Sequence, residues 1–355
     1  MALLARVEAA AAAEGVPLVD LGRGNPEVGP PPHVVEALAR AAADPGMHGY
    51  PPFRGLPELR EAIAARYRDV YGVELDPLRE VAVVPGTKTA LVELALVLAE
   101  RGQRILLPDP GYPDYPSGVA LAGAELVPLP LERPAWAPDL ATAPEAAALY
   151  LNYPSNPCAV AVPDGVFAGA VEWAARTGGA VVHDFAYGDL VFDGRRPQSF
   201  LATPGAREAG VEMFSMSKSY GMAGWRLGFV VGKAEIVERI NLLNDHTRGG
   251  IFMPLQHAAI AALTGPQESV AERAVTYQRR RDRVIATIGG SAEGTFFVWL
   301  RLPEGVTAEG LLTESRVAVA PGEGFGARGA GWIRISLAVT DETLERGLER
   351  LRPLF

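Results

Sequence analysis

From Glu80 to Val231, short apolar runs alternate with helical stretches, and no other feature constrains the fold as tightly. The runs VAVV (81–84), RILL (104–107), ELVPL (125–129), ALYLNY (148–153), AVVHD (180–184), VEMFSM (211–216) and LGFVV (227–231) read as buried strands. Several end directly in Pro, Gly or Ser, the residues that mark turns. Between the first two lies KTALVELALVLAERG, where Leu91, Leu94, Ala95 and Leu98 fall at the i, i+3, i+4, i+7 spacing of one helical face. Val92, Leu96 and Val97 make it apolar elsewhere, so it is expected to be buried on more than one side. Strands alternating with helices predict an α/β domain built on a mainly parallel sheet. Ligands of such sheets gather at the carboxyl ends of the strands.

Past Pro254 the pattern changes. A long helical region is predicted to about Thr287, then strands at TFFVWLRL, RVAVAPG and WIRISLA. DETLERGLERL follows as an amphipathic helix with Leu344, Leu348 and Leu351 on one face. These segments predict a second, smaller α+β domain. The expected division is an arm over 1–22, a large domain over 45–250, a connection over 251–269, and a small domain from 23–44 and 270–355. The start, MALLARVEAAAAAEGVPLVDLG, has only a short apolar run interrupted by Arg6, Glu8 and Glu14, so a helical arm is expected rather than a signal peptide.

A chain of 355 residues with a net charge of −9 and no basic run is not expected to bind nucleic acid or an anionic membrane. No apolar stretch reaches about 18 residues, the length of a membrane span. Cys158 is the single cysteine, which excludes an intrachain disulfide, and the five histidines show no paired metal spacing. A cytoplasmic protein without a structural metal is expected.

Five segments carry polar residues to predicted strand ends. PGTKTAL (85–91) opens a helix after a strand, and the free amides of Thr87 and Lys88 could hold a phosphate or simply begin a helix. PDPGYP (108–113) offers Tyr112, either to stack on a flat ligand or to pack on the sheet rim. LNYPSNP (151–157) sets Asn156 between turn residues, where asparagine often caps backbone groups. VVHDFAYGD (181–189) ends an apolar run on Asp184, with Tyr187 three residues on. A carboxylate there needs a cationic or hydrogen-bonding partner, or the next helix to cap. The fifth, FSMSKSYGMAGWRLGF (214–229), surrounds Lys218 with Ser215, Ser217 and Ser219 and places Arg226 eight residues later. The chain has only three lysines (Lys88, Lys218 and Lys233), and an amine can be deprotonated for nucleophilic work where a guanidinium cannot. A lysine, a buried aspartate, an aromatic platform and a phosphate-binding turn together suit pyridoxal 5′-phosphate.

With these motifs in this order, the sequence resembles the fold-type I, class I/II pyridoxal-phosphate-dependent aminotransferases over nearly its whole length. The resemblance implies a seven-stranded, mainly parallel sheet flanked by helices, a smaller α+β domain, and a homodimer with shared sites. It implies that Lys218 bonds the cofactor aldehyde and shuttles a proton, that Asp184 pairs with the pyridinium nitrogen, and that Asn156 and Tyr187 hydrogen-bond the ring 3′-oxygen. Tyr112 would stack on the ring. Thr87, Lys88, Ser215 and Arg226 would bind the phosphate, with Tyr50 reaching the neighbouring subunit's phosphate. Arg334 would clamp the substrate α-carboxylate beside Gly24 and Asn156, and Arg23, or Arg248 from the partner, would meet a distal carboxylate. The implied reaction moves an amino group between an L-amino acid and a 2-oxo acid by a ping-pong mechanism. A carbon–sulfur β-lyase with the same cofactor and a non-catalytic regulator on the same fold are the alternatives. NPCA (156–159) stands where the family has Asn-Pro-Thr-Gly, which leaves the geometry of that turn open.

Overall fold

The computed structural model describes Val7 and residues 15–355, so most of the predicted helical arm lies outside the described residues. In chain order the strands are β1 (Val19–Asp20), β2 (Val81–Val84), β3 (Arg104–Asp109), β4 (Glu125–Glu132), β5 (Ala137–Pro138), β6 (Ala148–Asn152) and β7 (Ala180–Asp184). There follow β8 (Gly210–Ser215), β9 (Gly228–Gly232), β10 (Phe297–Arg301), β11 (Val317–Ala318), β12 (Ala320–Pro321) and β13 (Trp332–Ser336).

The large sheet runs β2-β9-β8-β7-β6-β3-β4-β5. It contains all seven predicted strands and one more, since β5 pairs antiparallel with the end of β4. Two residues are too few to show a period, so the sequence pattern carries no sign of β5. The central strands β8, β7, β6, β3 and β4 are parallel. β9 is antiparallel to both neighbours because the chain between β8 and β9 holds only two short helical turns, Met216–Ser219 and Ala223–Trp225, and turns straight back. Lys218 sits in that return.

Both faces of the sheet are covered, which is why its strands read as continuous apolar runs rather than alternating ones. Ala82, Val84, Ile105, Leu107, Val182, Met213 and Val230 pack on one face with Leu91 and Leu94 of the helix Thr87–Leu98. Val81, Val83, Leu106, Leu149, Val181, Phe214 and Phe229 pack on the other.

The long predicted helical region is two helices, Met253–Thr264 and Glu268–Ile288. The break falls at Gly265 and Pro266, where proline supplies no backbone donor to continue the ladder. RVAVAPG, predicted as one strand, is two: β11 pairs parallel with β1, whereas β12 pairs with β13 in a three-stranded antiparallel sheet ordered β10-β13-β12. The helix Asp341–Leu351 buries Leu344, Leu348 and Leu351 and is capped by Thr340, whose Oγ1 accepts from the Thr343 amide. The helix Pro32–Ala42 packs on Met253–Thr264 and places Val34 in the large-sheet core. Among the described residues no helix is long and apolar enough to cross a membrane.

Candidate active site

A cavity of about 440 Å³ opens at the carboxyl ends of the parallel strands. Every site residue predicted from sequence lines it, except Tyr50, Arg23 and Arg248. Its far wall is β13 and Phe297, so the two sheets meet across it.

The base of the cavity is acidic and buried. Asp184 is the last residue of β7, level with Asn152 at the end of β6. Its Oδ2 accepts from the Tyr115 hydroxyl at 2.9 Å and its Oδ1 from the Ala186 amide at 3.1 Å. No ion pair reaches it among the described residues, and burial pushes its carboxyl above the usual range, against the pull of the Tyr115 bond. A buried carboxylate left in this state is costly unless a cation meets it. A protonated pyridine nitrogen is such a cation. Asn152 locks the neighbouring turn, donating to the Asp184 carbonyl at 2.9 Å and accepting from the Asn156 amide at 2.7 Å. The NPCA turn thus has its Asn156 held in place, and Cys158 is fully buried, its thiol pushed well up by that burial.

The amine lies on the opposite side. Lys218 Nζ donates to the Gly24 carbonyl at 3.2 Å and lies 4.9 Å from the Phe296 ring centre and 5.8 Å from that of Tyr187. Burial, with the positive fields of Arg334 and Arg226, lowers its value from 10.5 to about 8. An amine so disposed is readily freed of its proton for attack on an aldehyde.

The third wall is an anion cradle. The helix Thr87–Leu98 begins after Gly86 with no side-chain cap, so its first amides face the cavity unsatisfied. Gly86 has φ +83, and a Cβ there would lie 2.6 Å from Arg226 Nη2. Arg226 itself holds φ +57, uncommon for a side-chain-bearing residue, and this aims its guanidinium over the turn. Its one hydrogen bond, to the Ala223 carbonyl at 2.8 Å, leaves its charge without a carboxylate among the described residues. Ser215 and Ser217 complete the cradle. The Lys88 ammonium is turned to Asp114 at 2.7 Å, so its amide, not its side chain, faces the anion site. A doubly charged phosphate fits amides, hydroxyls and a guanidinium set out in this way.

Opposite the cradle, Arg334 projects from β13. Its Nη1 donates to Asn156 Oδ1 at 2.6 Å and its Nη2 to the Gly22 carbonyl at 3.1 Å, while its buried Nε has no acceptor. Its guanidinium lies 3.8 Å from the centre of the Phe297 ring, and burial lowers its value to about 10. A Cβ on Gly24 would come within 2.9 Å of that same ring. Tyr112 is edge-on to Tyr115 at the cavity rim, and Tyr187 is buried against Phe296 and Phe297.

Two predicted residues stand apart. Arg23 is bound to Asp20 at 2.6 Å with its side chain 73% exposed, and Tyr50 is 92% exposed. Arg248, named as a partner-subunit candidate, pairs within its own chain with Glu93 at 2.8 Å. Conversely, Tyr115, Asn152 and Phe297 belong to the site and were not singled out from sequence, and Ser217, noted beside Lys218, was given no role there. Tyr115 opens the helix Tyr115–Ala122 just after the turn that carries Tyr112. Phe297 carried no signal, since only the folded chain brings β10 to β7.

Known proteins resemble the chain in sequence and in fold. The family model for aminotransferase class I and II matches residues 16–351. The chain is 45% identical to the L-glutamine–4-(methylsulfanyl)-2-oxobutanoate aminotransferase of Bacillus subtilis, over 96% of this chain and 90% of that one. It is 40% identical to the LL-diaminopimelate aminotransferase of Moorella thermoacetica, over 99% and 95%. Among solved structures, substrate-bound BacF from Bacillus subtilis superposes with a TM-score of 0.91 at 39% identity, covering 95% of this chain and 90% of that one. A probable N-succinyldiaminopimelate aminotransferase from Thermus thermophilus gives 0.92 at 35%, covering 99% of each. By its sequence, its fold and these relatives, the chain belongs to aminotransferase class I and II.

Proposed function

We propose that this transaminase works at the cavity between Lys218 and Arg334 and prefers amino donors with an uncharged side chain. Bound pyridoxal 5′-phosphate supplies an aldehyde for the amino group and a ring that takes up electrons as the Cα–H bond breaks. Asp184 holds the ring-nitrogen proton, and Tyr115 and the Ala186 amide fix that carboxylate in place. The Thr87 and Lys88 amides, Ser215, Ser217 and Arg226 would hold the phosphate, Tyr112 would lie against the ring, and Asn156 and Tyr187 would meet its 3′-oxygen. Lys218 Nζ, its amine lowered to about 8, would take up the proton released from Cα of the substrate. Arg334 takes the substrate α-carboxylate, which supplies its unpaired Nε with an acceptor. The reaction runs as two half-reactions in turn, with donor and acceptor using the same arginine.

One observation carries the preference for uncharged donors. The cations on the cavity wall are Lys88, Lys218, Arg226 and Arg334, and each has a task or a partner already. Arg23 and Arg248, the candidates for a distal carboxylate, are both held by acidic residues of their own chain. The relative named for glutamine and a methylsulfanyl oxo acid acts on side chains of the uncharged kind. The experiment is a half-reaction screen without acceptor, measuring the 2-oxo acid released from glutamine, methionine, alanine, aspartate and LL-2,6-diaminopimelate. Glutamine or methionine should exceed aspartate in kcat/KM by at least about tenfold, the worth of one charge-assisted hydrogen bond. Aspartate as the best donor would overturn the reading.

We further propose a homodimer and the division into domains set out from sequence, except that residues 17–22 join the small domain through β1 and the helix Pro32–Ala42 joins the large one. Tyr50, so exposed in one chain, is suited to reach a second chain's phosphate. Sedimentation equilibrium at twice the chain mass is expected; a monomer that retains full activity would remove the shared site.

A further inference from the structure

Beneath the active site a single guanidinium touches three of the segments that carry it. Arg66, in the last turn of the helix Pro57–Arg66, has a side chain only 5% exposed. Its Nη1 donates to the Tyr220 hydroxyl at 2.9 Å, and its Nη2 pairs with Asp189 Oδ1 at 2.5 Å. Its charge lies 4.9 Å from the ring centre of Phe214. Tyr220 is two residues past Lys218, Asp189 is two residues past Tyr187, and Phe214 immediately precedes Ser215. The Tyr220 hydroxyl passes the link on to Gln267 Oε1 at 3.0 Å, at the break between the two long helices. None of these side chains lines the cavity.

Stability alone does not account for this arrangement. Asp189 is 8% exposed, so the ion pair is taken out of water on both sides. Arg66 Nε and Asp189 Oδ2 are buried with no partner, so the pair is not even fully satisfied. Buried pairs of this kind are commonly matched or exceeded in stability by apolar side chains of the same volume. What an apolar pair cannot do is fix direction: two bonds from one planar group set the distance between the Tyr187 turn and the Lys218 turn. Transamination depends on that distance, because proton transfer demands placement to within about an ångström.

We propose that Arg66 is a positioning residue for transamination, tying the turn of Tyr187 to the turn of Lys218 through Asp189 and Tyr220. The proposal rests on the assignment of Lys218 and Tyr187 to the reaction.

Three variants test it. Arg66→Met with Asp189→Leu replaces the pair by apolar groups and leaves no charge stranded. Tyr220→Phe removes the hydroxyl that accepts from Arg66 and donates to Gln267, and keeps the ring. Arg66→Lys keeps the charge but cannot reach both partners in the same plane. Each is measured as holoenzyme for melting temperature, kcat per bound cofactor, and the pH midpoint of the bound-cofactor absorbance. The double variant should melt within a few degrees of the parent or above it, lose about 10- to 100-fold in kcat, and shift the absorbance midpoint by more than about half a unit, as expected when charges around Lys218 move. Tyr220→Phe and Arg66→Lys should show smaller losses of the same kind, the former with a melting temperature lowered by no more than a few degrees, since two hydrogen bonds go with its hydroxyl. A double variant with parental kcat and midpoint overturns the proposal, as does one whose melting temperature falls while kcat per bound cofactor is kept. If the double variant does not fold, Tyr220→Phe decides, and unchanged kcat and midpoint there overturn it. Borohydride labelling of the parent at an amine other than Lys218 would remove the underlying assignment instead, so the two failures are distinguishable.

Discussion

At the scale of single residues, the site is a set of groups each held in a state that water would not allow. Lys218 is the clearest case, its amine lowered to about 8 by burial and by two neighbouring guanidinium groups. Folding therefore favours the neutral amine. Between about 8 and the ordinary 10.5 the unfolded chain binds more protons than the folded one, so this residue makes stability rise with pH across that window. In cofactor-free protein, Lys218→Met should raise the melting temperature most below pH 8, and the gain should fade as the pH climbs. A gain that stayed constant or grew with pH would contradict the burial argument. Most of these residues were legible in sequence because each stands at a strand end among turn residues and has a side chain that is expensive to bury. Tyr115 and Asn152 were not, because their work is done on a second residue rather than on the ligand: they fix Asp184 and Asn156.

At the scale of elements, helix starts and strand returns do the positioning. The helix Thr87–Leu98 follows β2 through a glycine whose backbone and empty Cβ position both matter. Gly86→Ala would put a methyl 2.6 Å from Arg226 Nη2 and impose φ +83 on a residue that disfavours it. The guanidinium would then swing off the anion site. The expected result is faster loss of cofactor on dialysis and at least about a tenfold weaker rebinding, the worth of one charge-assisted hydrogen bond, with β2 and the helix retained by circular dichroism. Unchanged retention would show that Arg226 does not depend on the turn. Strands such as VAVV and AVVHD matched their predicted limits, because a run buried on both faces has sharp ends. RVAVAPG did not, since β11 and β12 belong to different sheets and their separation at Val319 is decided by partners far away in sequence.

At the scale of the whole molecule, the cavity exists because two sheets face each other across it. The large sheet brings Asp184, Asn156 and Lys218, and the small one brings Phe297 and Arg334. The alternating pattern over Glu80–Val231 made the first legible; the meeting of the two was not, because it depends on Arg334 reaching Asn156 and Gly22 rather than on any local period. Arg23 and Tyr50 show the same limit, since a motif fixes a residue's place in the chain and not where its side chain turns. The whole reaction stands on the amine at position 218, and borohydride reduction of cofactor-saturated protein followed by peptide mapping tests it most directly. Trypsin should leave the peptide 208–226 uncut at Lys218 and carrying the pyridoxyl mass, with Lys88 and Lys233 unmodified. A label at Lys88, at Lys233 or at the chain's amino terminus, or no label at all, would contradict it.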